Sequence, residues 1–361
     1  MKKIITFILI IIIIILNYIC INKIYKKDII NNIFEIKEEY RFNEETLYVV
    51  KDDILNTNYI GEDYYIDDTN IASIENGVIK GINNGETKLH YKDSESTLKI
   101  IVTDLVTPYT LSKTKKEILP CHKYNESEAN LLDELLNFEV EKAGNGTRAG
   151  VLAAARFLTL RLRYRVPYFY ENGRLYETGT RIVDGEGRYY HKGLYLNENK
   201  FENITAKYKG PAIWGCPLTN LEDDPKHGYN VGAKKPNGLD CSGFVTWAMK
   251  NGGMDPGDIG AGENEGIYQM TDTGDFTPLT YDLIYSGKIK AGDLFNFWGH
   301  IALIIGIDEN NFYVAESLPY LGGVVVRTYP KKTALKPWEF VVFMDKFYNG
   351  DGNYTEMFNL R

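Results

Sequence analysis

Gly238-Leu239-Asp240-Cys241-Ser242-Gly243-Phe244-Val245-Thr246-Trp247-Ala248-Met249 leads into Asn251-Gly252-Gly253. From Ser242 onward this reads as a helix, and the glycine pair supplies its C-cap. Cys241 then stands at the helix N-terminus. Backbone N–H groups without intrahelical partners and the positive end of the helix dipole stabilise a thiolate there. A structural cysteine behaves as a small hydrophobe in apolar surroundings. That description fits Cys20 in its isoleucine-rich run, but not Cys241 between Asp, Ser and Gly. Cys241 is the candidate nucleophile.

The next informative stretch is Gly292-Asp293-Leu294-Phe295-Asn296-Phe297-Trp298-Gly299-His300-Ile301-Ala302-Leu303-Ile304-Ile305-Gly306. Two β runs flank Trp298-Gly299, and His300 opens the second. The chain has five histidines, and His300 alone opens an apolar strand of this kind. Cysteine and histidine far apart in sequence are the minimum set for acyl transfer: the imidazole takes the thiol proton and later protonates the leaving amine. Asp293 reads as a turn residue. Phe312-Tyr313-Val314-Ala315-Glu316-Ser317 forms the following strand, after the turn Asp308 to Asn311. A polar group here would orient the imidazole, and Glu316 is the candidate. The assignment carries a geometric condition. Paired residues of a hairpin share a face. Glu316 shares the His300 face only if the loop has an odd number of residues or the hairpin carries a bulge.

Asp240-Cys241-Ser242-Gly243-Phe244-Val245, Gly292-Asp293-Leu294 and Gly299-His300-Ile301-Ala302 together resemble the NlpC-type cell-wall cysteine peptidases, a papain-like family. Upstream, Gly210-Pro211-Ala212-Ile213-Trp214-Gly215-Cys216 is similar to the Pro-Tyr-x-Trp-Gly-Gly motif that opens the family's domain. The resemblance covers about residues 210–345. It implies an α+β fold in which the nucleophile helix packs on an antiparallel sheet. It implies hydrolysis of the peptidoglycan stem peptide between D-glutamate and the diamino acid, with an amidase cutting muramoyl from alanine as the alternative within the fold. It also implies substrate contacts from Asp240, Ser242 and Trp214, and an oxyanion held partly by the Cys241 backbone N–H. The sequence departs from the pattern in three places. The motif's tyrosine falls at Ala212, and residues 217–236 form an insertion in which Tyr229 is the candidate for the missing hydroxyl. The third catalytic position is usually His, Asn or Gln, so Glu316 is unusual. These departures leave the nucleophile and base in place but bear on bond and substrate preference.

Outside this core, residues 34–104 alternate short β runs with turn signals, Asn76-Gly77 and Asn83-Asn84-Gly85 among them. Asn-Gly between apolar runs is a strong hairpin signal. The run from Ile71 to Thr87 resembles bacterial Ig-like modules, which implies a β-sandwich serving as a spacer or adhesion module. A surface adhesion protein with an inactive cysteine domain is therefore a further reading. Residues 105–119 read as a linker. A catalytic domain over 120–361 follows, with helices expected over 126–142 and from Thr147 to about Tyr164. Arg148, Arg156, Arg161 and Arg163 in the second helix read as a solvated face.

Residues 1–33 differ from the rest. Met1-Lys2-Lys3 precedes an apolar run from Ile4 to Ile21, roughly 27 Å as a helix and close to the thickness of a hydrocarbon core. No small-residue cleavage pattern follows it. The expectation is a single-pass membrane anchor with a basic juxtamembrane stretch, holding the catalytic domain outside the cell membrane. The chain has 361 residues and a net charge of −8, which speaks against nucleic-acid binding. No Cys or His pair has zinc-ligand spacing, so neither metal nor cofactor is expected. Cys121 and Cys216 are candidates for a disulfide, their separation left open by sequence.

Overall fold

The computed structural model describes residues 40–358 except 93, 113–115, 171–192, 199–207, 212, 224, 226–229, 258 and 263–267. Seven short strands come first: β1 (Thr46–Val50), β2 (Ile54–Asn56), β3 (Tyr64–Ile66), β4 (Ala72–Glu75), β5 (Val78–Gly81), β6 (Gly85–Tyr91) and β7 (Thr97–Thr103). They make two sheets, ordered β1-β7-β6-β3 and β2-β5-β4. Asn76 and Gly77, with φ of 52° and 81°, form the two-residue turn that joins β4 to β5. Positive φ at both central residues matches the right-handed twist of the flanking strands. Alternation along β7 buries Leu98, Ile100 and Val102, which pack with Leu47, Ile79 and Leu89 in a core of their own.

Two helices follow β7 in the chain. Helix α1 (Glu126–Ala143) begins with a capping box in which Asn125 and Glu128 satisfy each other's backbone N–H. Helix α2 (Arg148–Arg156) is N-capped by Thr147 and runs on into a π turn over Phe157–Arg161. Helix α3 (Cys241–Asn251) follows a small sheet of β8 (Tyr208–Lys209), β9 (Pro217–Asn220) and β10 (Lys234–Pro236). Helix α4 (Tyr281–Tyr285) is a single short piece. Then comes the largest sheet, six antiparallel strands ordered β11-β16-β12-β13-β14-β15: β11 (Asp275–Pro278), β12 (Leu294–Phe297), β13 (His300–Ile307), β14 (Asn311–Leu318), β15 (Gly323–Pro330) and β16 (Phe340–Phe343). It is buried on both faces. Ile301, Leu303, Ile305 and Ala315 join the core containing Val151, Phe244 and Ala248 of α2 and α3. Ala302, Ile304 and Val314 face a second core with Phe295, Tyr329 and Trp338.

Two expectations are corrected here. The papain-like α+β domain, with a β-sandwich and a transmembrane helix before it, does not describe this chain. The structure is sheet-rich: the described residues form sixteen strands in four sheets against four α-helices of 18, 9, 11 and 5 residues. The β7 run alternates and the β13 run is buried almost throughout, and runs of both kinds pair into sheets. The single-pass membrane placement is corrected as well. Among the described residues no helix is long and apolar enough to cross a membrane. The run at residues 4–21 that prompted that expectation lies outside the described residues, as do all of residues 1–39.

The arginines of the second helix are a further correction, since three of the four are not solvated. Arg148 is fully buried and is met by Asp293 at 2.9 Å, Asp345 at 2.6 Å and Asp351 at 3.1 Å, with the Tyr348 ring 4.9 Å from its guanidinium. Arg156 donates to the Ile305 carbonyl at 2.9 Å and the Thr355 carbonyl at 2.9 Å. Arg161 pairs with Asp53 and Glu139, and only Arg163 is exposed. All nine residues of α2 are buried, so the helix has no solvent face on which to place charge. Asp293, read as a turn residue, is the buried partner of Arg148. It also accepts the Met344 N–H at 3.0 Å, so α2 is tied through Asp293 to the residue that follows β16. Truncating one partner of such a buried pair strands the other charge in a low-dielectric interior. Arg148→Met is expected to lower unfolding free energy by about 3–5 kcal/mol, checked by denaturant titration.

Candidate active site

The site is built at the junction of α3 with strands β13 and β14. Asp240 is the N-cap: its carboxylate accepts the Gly243 N–H at 2.7 Å and the Ser242 hydroxyl at 3.2 Å. Cys241 follows as the first residue of the helix, partly exposed and not in a disulfide. The three residues before it are held on both sides. The Leu239 N–H donates to the Pro167 carbonyl at 2.9 Å, and the Ser317 hydroxyl donates to the Leu239 carbonyl at 2.7 Å. Gly238 lies so close to the Pro167 carbonyl that an added Cβ would sit 1.9 Å from that oxygen. Gly238→Ala is expected to cost about 1–3 kcal/mol in overpacking and to slow alkylation of Cys241. Thermal melting and timed iodoacetamide labelling would check the two effects separately.

His300 opens β13 after the two-residue turn Trp298-Gly299, where Gly299 has φ of 80° and Trp298 projects with 79% exposure. The backbone of His300 is held by the Asn296 amide, which donates to its carbonyl at 2.9 Å, and the imidazole stacks on the Trp338 ring at 5.7 Å and 18°. His300 Nε2 is hydrogen-bonded to Glu316, and Cys241 lies close enough to the imidazole to act on its charge. Its Nε2 lies 2.8 Å from Glu316 Oε2, so Nδ1 is the nitrogen that remains for the thiol. Burial pushes the imidazole pKa down. The interactions with Cys241 and Glu316 outweigh burial and lift it to about 9.

The geometric condition on Glu316 is met by a bulge. Four residues, 308–311, separate the pair Ile307 and Phe312. That even number alone would turn Glu316 away from His300. The register shifts between Ile304 and Gly306, after which Ile304 pairs with Val314 and Leu303 with Ala315. One extra residue on β13 flips the alternation, as a β-bulge does. Glu316 then falls opposite Ala302, on the face that His300 shares. Ser317, next along β14, points the other way and anchors the loop that leads into Cys241. One strand therefore places both the imidazole's partner and the thiol's support.

Cys241, His300 and Glu316 are brought together, with Asp240 and Ser242 beside them as buried parts of the helix cap. Trp214 is not in the site. It is fully buried, packed on Tyr195 at 5.2 Å and Trp247 at 5.8 Å. Its motif is a packing element that donates the Gly215 N–H to the Asn237 carbonyl at 2.8 Å. Tyr229 lies outside the described residues. Cys121 and Cys216 form a disulfide that closes a 95-residue separation. With His122 they place three residues of metal-ligand type close together, but both sulfurs are spent in the bond. Tyr329, Arg327 and Trp338 were not singled out from sequence. Period-two spacing along β15 puts Tyr329 and Arg327 on the Glu316 face, a signal readable only once the register is known. No protein-family model, curated protein or solved structure matches this chain.

Proposed function

We propose that the chain is a cysteine hydrolase that cuts amide bonds in the peptide part of peptidoglycan. The observation that carries the hydrolase reading is the placement of Cys241, at a helix N-terminus, beside an imidazole whose Nε2 is held by a buried carboxylate at 2.8 Å. The substrate class rests on the resemblance of Asp240-Cys241-Ser242-Gly243 and Gly299-His300 to the NlpC-type peptidases.

The chemistry follows from the groups present. His300 holds the thiol proton, and the thiolate attacks the amide carbonyl carbon. The tetrahedral oxyanion faces the start of α3, where the Cys241 N–H is available to donate. The C–N bond breaks, His300 gives its proton to the departing amine, and a thioester remains on Cys241. Water then attacks the thioester while His300 takes its proton. The C–S bond breaks, and the acid leaves with the thiolate–imidazolium pair restored. The balance is amide plus water to acid plus amine, with no cofactor consumed.

Isolated peptidoglycan digested by the chain and by Cys241→Ala, with mass spectrometry of the soluble fragments, tests this reading. Stem peptides cut after D-glutamate by the unmodified chain alone would support it. Intact stem peptides freed from muramic acid would move the bond to the amide at alanine. No release from walls of several types would remove the proposed substrate.

A further inference from the structure

We propose that Tyr329 is a positioning residue of this site, fixing the Glu316 carboxylate so that one oxygen stays on His300. This rests on the reading of Cys241 and His300 as the reacting pair, but not on peptidoglycan as the substrate.

Glu316 is 1% exposed, so each carboxylate oxygen must find a donor inside the protein. Oε2 faces His300 Nε2 at 2.8 Å, and Oε1 accepts the Tyr329 hydroxyl at 2.6 Å. Arg327 Nη1 stands 3.5 Å from the same Oε1 and donates to the Tyr320 hydroxyl at 3.0 Å. The two donors come from one strand: Tyr329 pairs with Phe312 and Arg327 with Val314, two and one alternations from the Val325–Glu316 pair. The Tyr329 ring is itself braced edge-on against Trp338 at 5.4 Å, and Trp338 also stacks on His300. Imidazole, carboxylate and phenol thus share one rigid aromatic wall.

A third member that is an acid differs from an amide in this place. An amide can only orient the ring. A carboxylate adds a charge that stabilises imidazolium, but that charge is costly to bury unless donors surround it. Tyr329 supplies the short, well-directed one. Burial and the neighbouring Glu316 carboxylate push its phenol far above the usual range, so it stays a donor. The charged and titratable groups facing His300 and Glu316 are Cys241 from α3 and Tyr329 and Arg327 from β15, with Tyr320 behind Arg327.

The test is the titration of His300 in the full chain, followed by NMR of histidine labelled at the ring carbon; the chain has only five histidines. Tyr329→Phe keeps the ring and removes the hydroxyl. The His300 midpoint is expected to fall by about one pH unit, because a loosened carboxylate stabilises imidazolium less. In the Glu316→Gln background, Tyr329→Phe is expected to add no further change, which a merely structural role would not produce. An unchanged midpoint in Tyr329→Phe, or an equal fall in both backgrounds, would overturn the proposal. Thermal melts of the same samples establish that each variant is folded. These readouts need no substrate, so failure here is distinct from failure of the digestion experiment.

Discussion

Cys241→Ala is expected to lower turnover by about 10⁴- to 10⁶-fold and to leave the fold in place. The size follows from the role. Without the sulfur no thioester forms, and what remains is whatever the helix N-terminus and binding contribute. The fold should persist because Cys241 is partly exposed and its helix is capped by Asp240, not by the thiol. His300→Ala is expected to cost a similar factor, and the double variant little more than either alone, since nucleophile and base act as a unit. Initial rates of the three variants on one substrate check the non-additivity. Additive losses would mean that the two residues serve separate steps.

The second large effect is on pH dependence. Glu316→Gln removes the charge while keeping the shape, and is expected to lower the rate by about 10²-fold or more. The imidazolium form of His300 persists up to about 9 in the intact site. The alkaline limb of activity is therefore expected near pH 9, and without the Glu316 charge it should move down towards the ordinary histidine range near 6.5. Stability follows the same linkage. Because the folded pKa is raised above the unfolded value, the contribution of His300 is fully present below about 6.5 and is lost as pH rises through about 9. Rate profiles and denaturant midpoints from pH 6 to 10 test both signs. A limb that does not move in Glu316→Gln would show that the carboxylate leaves the base untouched.

That Cys241 and His300 are candidates for one site was legible in the sequence because each has a local signature. A cysteine flanked by Asp, Ser and Gly before an apolar helix is read within six residues, and a histidine opening an apolar strand within eight. The tie between His300 and Glu316 was legible only as a condition. Sequence shows the even spacing but not the bulge at Ile305 that makes it work. Arg148 was misread because its partners Ala291, Asp293, Asp345 and Asp351 are 143 to 203 residues away. Periodicity cannot tell a solvated stripe from one buried against distant carboxylates. Trp214 was misplaced for a related reason. A tryptophan in a short glycine-flanked motif fits a cleft or a core equally well, and Tyr195 and Trp247 decide for the core. The overall fold was overread, because a few motif residues fix a local junction of helix and strand. The balance of sheet and helix is set by the rest of the chain.

The proposed covalent hydrolysis at Cys241 is tested most directly by catching the intermediate. The chain is mixed with a γ-D-glutamyl peptide, quenched in acid during turnover and mapped by mass spectrometry after proteolysis. The acyl mass is expected on the peptide containing Cys241, with no adduct and at most trace cleavage in Cys241→Ala. Cleavage by Cys241→Ala at the unmodified rate, or an acyl group on any other residue, would contradict it.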